Sequence, residues 1–562
     1  MKIITIILIL ACLHIHGWSQ VAPQKYFVEF IDKKDSPYAI NRPNEFLSQR
    51  AIERRQRQGI PVVANDIPVN QGYVNRVREY GVEVLTRSKW FNGITIYTLN
   101  SMVIDSILRL PFVKRVLKSD NDNFINDLNS VNKFTLEEVS LKVLNTGSDL
   151  TPNRYNSNSG YNYGPSYNQI HMLKGDSLHK LGYRGEGMII AVLDAGFLNA
   201  DTLSAFDSLR ANNQILGTRD FVKPGNNVYH EYEHGMEVLS CMGGNLPGKL
   251  VGTAPKASYW LLRSEDFNSE FLIEEYNWVS AAEFADSAGV DIINSSLGYT
   301  RFDDPVLNHT CQDMNGNTTP VTKGANLAAS KGILVVNSAG NSGTSDWHCV
   351  SAPADAFSVL SVAAVDSNGI RAPFSSLGEA TLRIKPNVAS MGKGAVVAST
   401  IGSVMYNNGT SFSSPIMAGL AACLWQAAPS WDNFTLIRAI ELSSNQVSHP
   451  DSLLGFGIPD FIRALQHAGV CVEKQTGSVK CFPNPFNERL SVRIPAHISE
   501  EYEVVLLNTL GMNILTSHFT ADREGENEFF IDDPGVLPNG TYMLRVSGTD
   551  FQATAKVVKT GH

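Results

Sequence analysis

A series of short apolar runs, each ending in Gly, Asp or Asn, constrains the fold of this chain more than any other feature. From about residue 166 these runs alternate with segments of helical pattern, notably residues 269–288 and 321–331. The pattern is typical of a parallel sheet covered by helices on both faces. It predicts an α/β domain with a doubly wound, mostly parallel sheet, whose ligands bind beyond the carboxyl ends of the strands. The runs are residues 188–193, 258–262, 290–293, 333–336 and 359–365.

A small-residue turn that carries a serine precedes another segment, which is apolar on nearly every face. The turn reads Asn408-Gly409-Thr410-Ser411-Phe412-Ser413-Ser414-Pro415. Proline is tolerated only in the first turn of a helix, so we expect a buried helix to begin near Ser411. A helix N-terminus offers unpaired N–H groups and a positive dipole end, which makes Ser411 a candidate nucleophile. The alternative is a serine that only caps the helix.

Length and charge limit the classes of protein to consider. A chain of 562 residues is too long for one core and predicts several domains. The net charge of −9 is modest for this length, and the sequence has no stripe of Lys and Arg. We therefore expect no nucleic-acid partner.

The first 19 residues have the pattern of a secretory signal peptide. Lys2 is followed by an apolar stretch over residues 3–13, which is too short to span a bilayer, and Gly17 and Ser19 suit a cleavage site. The alternative is a lipoprotein anchored at Cys12. No later run is long and apolar enough to predict a transmembrane segment.

Six cysteines follow the signal. Cys311 and Cys349 lie in polar, loop-like stretches, and Cys471 and Cys481 are close in sequence, so an oxidising compartment would allow two disulfides. Cys241 and Cys423 lie in apolar helical runs and are expected to be buried thiols.

Two further regions flank the α/β pattern. Residues 25–118 alternate strand signals (25–31, 82–88, 93–97, 113–117) with helix signals (45–57, 70–80, 102–109), which predicts a small α+β domain. Residues 481–562 contain short strand-like runs between turn signals and predict a β-sandwich. The predicted organisation is a signal peptide at 1–19, an N-terminal domain at 20–120, a linker at 121–165, an α/β domain at 166–468, a linker at 469–480 and a C-terminal domain at 481–562.

Three polar residues at strand ends or helix starts are candidate partners for Ser411. A serine hydroxyl is almost un-ionised at neutral pH and needs a base, and the base needs an orienting group. Asp194 ends a buried strand, His234 opens a helical run, and Asn341 follows a strand within a Gly-flanked turn.

The order Asp194, His234, Asn341, Ser411 resembles that of the subtilisin-like serine proteases, the subtilases. The similarity covers about residues 166–468 and includes the segments Val251-Gly252-Thr253-Ala254-Pro255, Ile293-Asn294-Ser295-Ser296-Leu297-Gly298 and Lys385-Pro386-Asn387-Val388. The resemblance implies that Ser411 is the nucleophile, His234 the general base and Asp194 its orienting carboxylate. It also implies an oxyanion hole formed by Asn341 and the Ser411 N–H. The implied substrate-binding residues are Ser296, Leu297, Gly298, Ser338, Ala339 and Gly340.

The chain departs from the subtilase pattern at two places. Ala195 stands where the family usually has Ser or Thr, which removes one expected hydrogen bond to the Asp194 carboxylate. Met236 and Glu237 replace the usual Thr-His after His-Gly. Neither departure removes a candidate catalytic group, but an inactive relative remains an alternative.

A competing motif overlaps the histidine. His230-Glu231-Tyr232-Glu233-His234 satisfies the His-Glu-x-x-His pattern of zinc metalloproteases. That chemistry needs both histidines on one helical face, and the nearby Pro and Gly residues argue against such a helix. The interpretation we favour has no metal ligands and requires no cofactor; subtilases often bind structural calcium, but no segment commits to a site.

The flanking domains also resemble known modules. Residues 20–120 resemble the inhibitory propeptide of subtilases, the alternative being a permanent N-terminal domain. The tail resembles the C-terminal sorting domain of the type IX secretion system of Bacteroidetes, the alternative being an accessory β-domain that binds substrate or cell wall. The resemblances imply a secreted or cell-surface zymogen, with protein or peptide substrates and the type IX machinery as partners. The pieces of the tail that carry the resemblance are residues 482–487, 507–511, 539–542 and 556–559.

Overall fold

The computed structural model describes residues 22–117, 142–143, 160–379, 381–468, 475–476, 479–496, 500–508, 513–523, 525–532, 537–548 and 551–560. The predicted signal peptide lies outside these residues, and so does most of the predicted linker at 121–165. The chain divides into two units after Leu465. The first contains an N-terminal domain (residues 22–117) and a central domain (residues 160–465). Among the described residues, no helix has the length and apolar character that crossing a membrane requires.

The N-terminal domain is an antiparallel sheet with three helices, as predicted. The strand order is β2-β3-β1-β4. Its core contains Val28, Val74, Ile94, Ile96 and Ile107. The elements are β1 (Lys25–Phe30), α1 (Gln49–Arg57), α2 (Gln71–Arg78), β2 (Glu83–Ser88), β3 (Gly93–Tyr97), α3 (Met102–Leu108) and β4 (Val113–Leu117).

The central domain is built on a seven-stranded sheet with small additional strands. The strands are β5 (Lys142–Val143), β6 (Ile189–Asp194), β7 (Ile215–Asp220), β8 (Asn245–Leu246), β9 (Leu250–Val251), β10 (Ser258–Arg263), β11 (Ile292–Ser295), β12 (Leu334–Ser338), β13 (Val359–Val365), β14 (Val388–Met391), β15 (Lys393–Ala398) and β16 (Val404–Asn408). The main sheet has the order β14-β13-β12-β11-β6-β10-β7, and β5 pairs with β16 in a separate three-stranded sheet.

All seven strands of the main sheet are parallel, which confirms the α/β fold predicted from the apolar runs. The five predicted strands are the five inner strands of the sheet. The two strands that the apolar runs do not predict, β7 and β14, lie at the two edges. β7 is largely exposed and β14 has only four residues, so neither forms a long apolar run.

Helices surround this sheet, and the longest, α10, is buried over its first 16 residues, Thr410–Trp425. The helix predicted near Ser411 therefore begins one residue earlier, at Thr410. Helix α8 begins at Ile273 rather than 269, because the backbone of Glu270 bonds to Asp303 instead of starting the helix. The helices are α4 (Tyr167–His171), α5 (Gly175–Lys180), α6 (Asp207–Ala211), α7 (His234–Gly243), α8 (Ile273–Ala288), α9 (Pro320–Ser330), α10 (Thr410–Ala427), α11 (Asn433–Leu442) and α12 (Phe461–His467).

The second unit consists of strands in two sheets that share one apolar core, in agreement with the predicted sandwich. One sheet has the order β17-β24-β23-β20-β21 and the other β18-β19-β22. These strands are β17 (Gln475–Thr476), β18 (Lys480–Phe482), β19 (Arg489–Ala496), β20 (Glu501–Leu507), β21 (Asn513–Thr520), β22 (Gly525–Asp532), β23 (Gly540–Ser547) and β24 (Phe551–Lys559).

The observed state of the cysteines agrees in part with the prediction from the sequence. Cys311 and Cys349 form a disulfide, and Cys241 and Cys423 are buried free thiols. Cys481 is a free thiol in the structure, and Cys471 lies outside the described residues.

Candidate active site

The carboxyl edge of the parallel sheet holds a buried pair of Asp and His. Asp194 is the last residue of β6, and His234 is the first residue of α7. The distance from His234 Nδ1 to Asp194 Oδ1 is 2.8 Å, and both side chains are buried. An ionised Asp194 accepts this hydrogen bond and holds the ring in the tautomer that carries a proton on Nδ1. The other ring nitrogen, Nε2, is then a base.

The two oxygens of Asp194 have different surroundings. Oδ1 also accepts a hydrogen bond of 2.8 Å from the Ala195 N–H. Oδ2 is buried and has no hydrogen-bond partner among the described residues. Burial raises the pKa of the Asp194 carboxyl above its ordinary value, and the charge and hydrogen bond of His234 oppose that rise. A Ser or Thr at position 195 would supply a hydroxyl that could donate to Asp194 Oδ2. Ala195 has no hydroxyl, so this oxygen remains available.

Ser411 lies in the first turn of α10, beside this pair. Gly409, with φ of 155°, precedes the helix. The ring of Phe412, the residue after Ser411, lies 6.1 Å from the His234 ring. Ser296 Oγ donates a 2.8 Å hydrogen bond to the Ser411 carbonyl, and Ser411 Oγ lies 3.4 Å from the Ser296 carbonyl oxygen. The start of the helix is thereby fixed against the segment that follows β11.

The side-chain amide of Asn341 is oriented by Thr410. Asn341 Oδ1 accepts hydrogen bonds of 2.9 Å from both the N–H and the hydroxyl of Thr410. Because the carbonyl oxygen of the amide faces Thr410, its NH₂ group points to the other side. Thr410 Oγ1 in turn accepts from the Gly340 N–H at 3.1 Å. Sequence reasoning did not assign a role to Thr410, although its place between Gly409 and Ser411 was a signal.

The two predicted substrate-binding segments lie side by side at the same edge. Residues 296–298 follow β11, and residues 338–340 complete and follow β12, its neighbour in the sheet. Asn337 Nδ2 donates to the Leu297 carbonyl at 3.0 Å, and the Ser351 N–H donates to the Ala339 carbonyl at 3.2 Å. A Cβ atom on Gly298 would lie 2.1 Å from Ser351 Oγ, so this position is restricted to glycine. The structure thus brings together all the site residues that the sequence selected.

The zinc motif does not form the helix that its chemistry needs. His230 ends a short 3₁₀ helix and Glu231 is extended, so the helix of His234 begins only at His234 itself. His230 and His234 therefore do not share a helical face. His234 is also bonded to Asp194.

Two other groups of ligand-type side chains occur among the described residues. Cys311, His348 and Cys349 lie close together, but both thiols are joined in the disulfide. Glu265, Glu270 and Glu274 bring three carboxylates together beside Tyr299, whose hydroxyl donates to Glu265. Carboxylate oxygens are ligands that hard cations accept. The expectation of structural calcium stays a prediction.

Met236 and Glu237 contribute to packing around the site. Met236 is fully buried in α7. Glu237 Oε2 accepts a 3.0 Å hydrogen bond from Asn407 Nδ2, which connects the histidine helix to the strand that leads into the serine turn. This departure therefore positions the two elements that carry His234 and Ser411.

A buried Asp–His pair beside a serine at a helix start is the arrangement of a serine hydrolase of the Asp-His-Ser type. Comparison with protein-family models finds the subtilase family over residues 185–457, the Peptidase S8 propeptide domain of Bacteroidota over 25–134, and a secretion-system C-terminal sorting domain over 480–560. The chain belongs to the subtilase family. Its sorting domain indicates a secreted or cell-surface protein.

Curated relatives are similar over the central domain. Subtilisin of Bacillus pumilus is 30% identical over 270 residues, which are 47% of this chain and 86% of that protein. Subtilisin NAT of Bacillus subtilis subsp. natto is 31% identical over 286 residues, covering 50% of this chain and 66% of the relative. The solved structure of MycP1 with its N-terminal propeptide removed has a TM-score of 0.42 and 23% identity, covering 53% of this chain and 96% of that one.

The unpartnered oxygen of Asp194 generates a testable prediction. In Ala195→Ser, the new hydroxyl should donate to Asp194 Oδ2 and stabilise the ionised carboxylate. The Asp–His pair then binds a proton less tightly, so the acid limb of the pH profile of kcat/KM should move to lower pH by up to about one unit. Steady-state kinetics between pH 5 and 9 would measure this. An unchanged or upward-shifted limb, in a variant with unchanged thermal stability, would contradict it.

Proposed function

We propose that this protein is a secreted serine endopeptidase that hydrolyses peptide bonds in proteins through an acyl-enzyme on Ser411. The observation that carries the proposal is the 2.8 Å hydrogen bond between His234 and Asp194, in a buried pair next to the N-terminus of the Ser411 helix. Membership of the subtilase family supports it.

Each catalytic residue has a role that its surroundings support. His234 Nε2 removes the hydroxyl proton as Ser411 Oγ forms a bond to the substrate carbonyl carbon. Asp194 keeps the ring in the required tautomer and stabilises the imidazolium that forms. The protonated histidine then gives its proton to the leaving amine as the peptide C–N bond breaks. Water, activated by the same histidine, hydrolyses the ester and regenerates Ser411.

The oxyanion that forms on the carbonyl needs donors that are already in place. We assign this role to the Asn341 NH₂ group and the Ser411 N–H, because Thr410 turns the Asn341 amide and a helix start presents its N–H groups. Residues 296–298 and 338–340 would hold the substrate chain on either side of the side chain that precedes the cut bond. The proposed chemistry uses only protein groups and water, and it requires no cofactor.

The flanking domains give the enzyme a zymogen form and an export route. The N-terminal domain matches the propeptide model of Bacteroidota, which supports a removable inhibitory domain at residues 20–120. The tail matches the sorting-domain model, which supports the type IX secretion machinery as a partner. Both assignments are part of the proposal.

The nucleophile can be tested directly. A fluorophosphonate probe should form one adduct, on Ser411, because only a serine activated by a neighbouring base reacts rapidly. Mass spectrometry of tryptic peptides would map it. Ser411→Ala should abolish both labelling and peptidase activity; an adduct on another residue, or full activity of this variant, would refute the assignment.

Asn341→Leu tests the oxyanion role. The variant should lower kcat by about 10²–10³ with little change in KM, a magnitude known for the corresponding amide of subtilisins. Asn341→Asp is the matched control for size, since it keeps the shape but loses the NH₂ donor, and it should lose activity as well. Active-site titration must normalise both rates. A kcat for Asn341→Leu within about threefold of wild type would exclude the role.

The proposed removal of the N-terminal domain can be tested at the N-terminus of the active protein. If residues 20–120 are an inhibitor, N-terminal sequencing of the secreted, active enzyme should begin between residues 119 and 166. The chain should be inactive toward large substrates before this cut. Fully active protein that begins at Gln20 would favour the permanent-domain alternative.

A further inference from the structure

The N-terminal domain contacts the central domain through a buried ionic network centred on Asp286. This residue lies near the end of α8 and has no exposed surface. Arg54 Nη2 and Arg55 Nη1 donate to Asp286 Oδ1 at 2.7 and 2.9 Å, and Lys89 Nζ donates to Oδ2 at 2.8 Å. The two arginines are also buried. All three of these cations belong to the N-terminal domain.

Arg54 and Arg55 lie on α1, here called the arginine helix, which also covers the C-terminal ends of two central-domain helices. Arg54 donates to the Lys331 carbonyl at 3.1 Å, and Arg50 donates to the Gly289 carbonyl at 3.0 Å. These carbonyls follow α9 and α8, where helix carbonyls lack internal partners and the helix dipole is negative. A guanidinium group supplies several donors in a fixed plane and suits such a site better than an ammonium group.

The network extends through a second carboxylate. Arg55 Nη2 donates to Asp66 Oδ1 at 2.8 Å, and Lys331 of the central domain reaches the same oxygen at 3.0 Å. Asp66 thus holds one cation from each domain. Removal of Arg55 would therefore take one cationic partner from Asp66 and one from Asp286.

Glu283, one turn before Asp286 in α8, also contacts the N-terminal domain, but mainly through backbone groups of that domain. Glu283 accepts from the N–H groups of Lys89 and Trp90 at 2.6 and 3.0 Å, and from the Ser88 hydroxyl. Backbone N–H groups are present whatever the side chains are. Two of the three donors to Glu283 therefore do not depend on side-chain identity, whereas all three donors to Asp286 are particular side chains.

The energetic consequence follows from burial. An unpaired charge in a protein interior is strongly unfavourable, so deletion of one member of a buried ion pair is strongly destabilising. The three cations more than offset the burial of Asp286, since they hold the pKa of its carboxyl at about 2. A partner without those cations would bury the carboxylate uncompensated and would be rejected, which is selectivity by an unpaired charge.

We propose that Asp286, together with the C-terminal ends of α8 and α9, is a selectivity site on the central domain that accepts only a partner domain bringing a helix with paired arginines. The proposal rests on the assignment of the N-terminal domain as an inhibitory propeptide. It adds to that assignment the residues that match this inhibitor to its own protease.

A double-mutant cycle tests the proposal without relying on peptidase activity. The full chain would carry Ser411→Ala and a site-specific cleavage sequence inserted within residues 121–140, so that an added protease separates the two domains. The dissociation constant of the separated N-terminal fragment is then measured by dilution and size exclusion. The variants are Asp286→Leu, Arg54→Met with Arg55→Met, and all three substitutions together.

Asp286→Leu and the arginine pair should each weaken binding by about 10²–10⁴, the fold-change to which the typical cost of a broken buried pair converts. The triple variant should bind at least about tenfold more tightly than Asp286→Leu, because it no longer buries the Arg54 guanidinium without a carboxylate partner. In Asp286→Leu, Arg55 still pairs with Asp66, and in the triple variant Asp66 keeps Lys331 as a cationic partner. Arg76→Ala, an exposed arginine of α2, is the matched control and should stay within about threefold of the parent.

Two outcomes would overturn the proposal. One is a triple variant whose loss equals the product of the two separate losses, since additivity means that the charges do not depend on one another. The other is an Asp286→Leu variant that binds within threefold of the parent. The milder Asp286→Asn keeps the shape of the side chain and replaces Asp286→Leu if that variant does not fold. Neither outcome would bear on the catalytic assignment. Every variant carries Ser411→Ala, so the experiment measures binding of the N-terminal domain and not peptidase activity.

Discussion

The hydrogen bond between Asp194 and His234 is the interaction on which the site depends. It exists because a strand in the middle of a parallel sheet ends in a carboxylate and a helix begins with a histidine at the same edge. The serine helix and the two segments proposed to bind substrate are fixed around that edge by Ser296 and Thr410. A rigid sheet and a buried helix therefore hold groups that must meet within fractions of an ångström.

Two of the buried carboxylates, Asp194 and Asp286, have opposite surroundings. Asp194 has one ionisable partner and an unpartnered oxygen, and burial raises the pKa of its carboxyl. Asp286 has three cationic partners, and they lower the pKa of its carboxyl to about 2. The first arrangement suits the proposed proton transfer, because the pair can respond to the charge that forms during the reaction. The second is a fixed ionic contact whose loss is costly, which suits recognition between domains.

The propeptide model, the subtilase model and the sorting-domain model match successive parts of the chain. This order fits a protein that is exported, kept inactive during export and then released from its inhibitor. The N-terminal and central domains belong to one compact unit, whereas the tail forms its own strand-rich unit with a separate core. The contact between the N-terminal and central domains is the one that the inhibitory role proposed for the N-terminal domain requires.

Sequence alone determined the fold class and the candidate catalytic residues, because apolar strands, a proline-limited helix start and the polar residues at strand ends are local patterns. It missed β7 and β14, since edge strands do not need continuous apolar runs. It gave Thr410 no role and could not place Asp286, because Asp286 acquires its function only from Arg54, Arg55 and Lys89, nearly 200 or more residues away in the chain. The local pattern fixes which elements form and where they end. Which charges are buried together is decided only when distant elements pack, because the cost of an unpaired charge depends on surroundings that no local pattern contains.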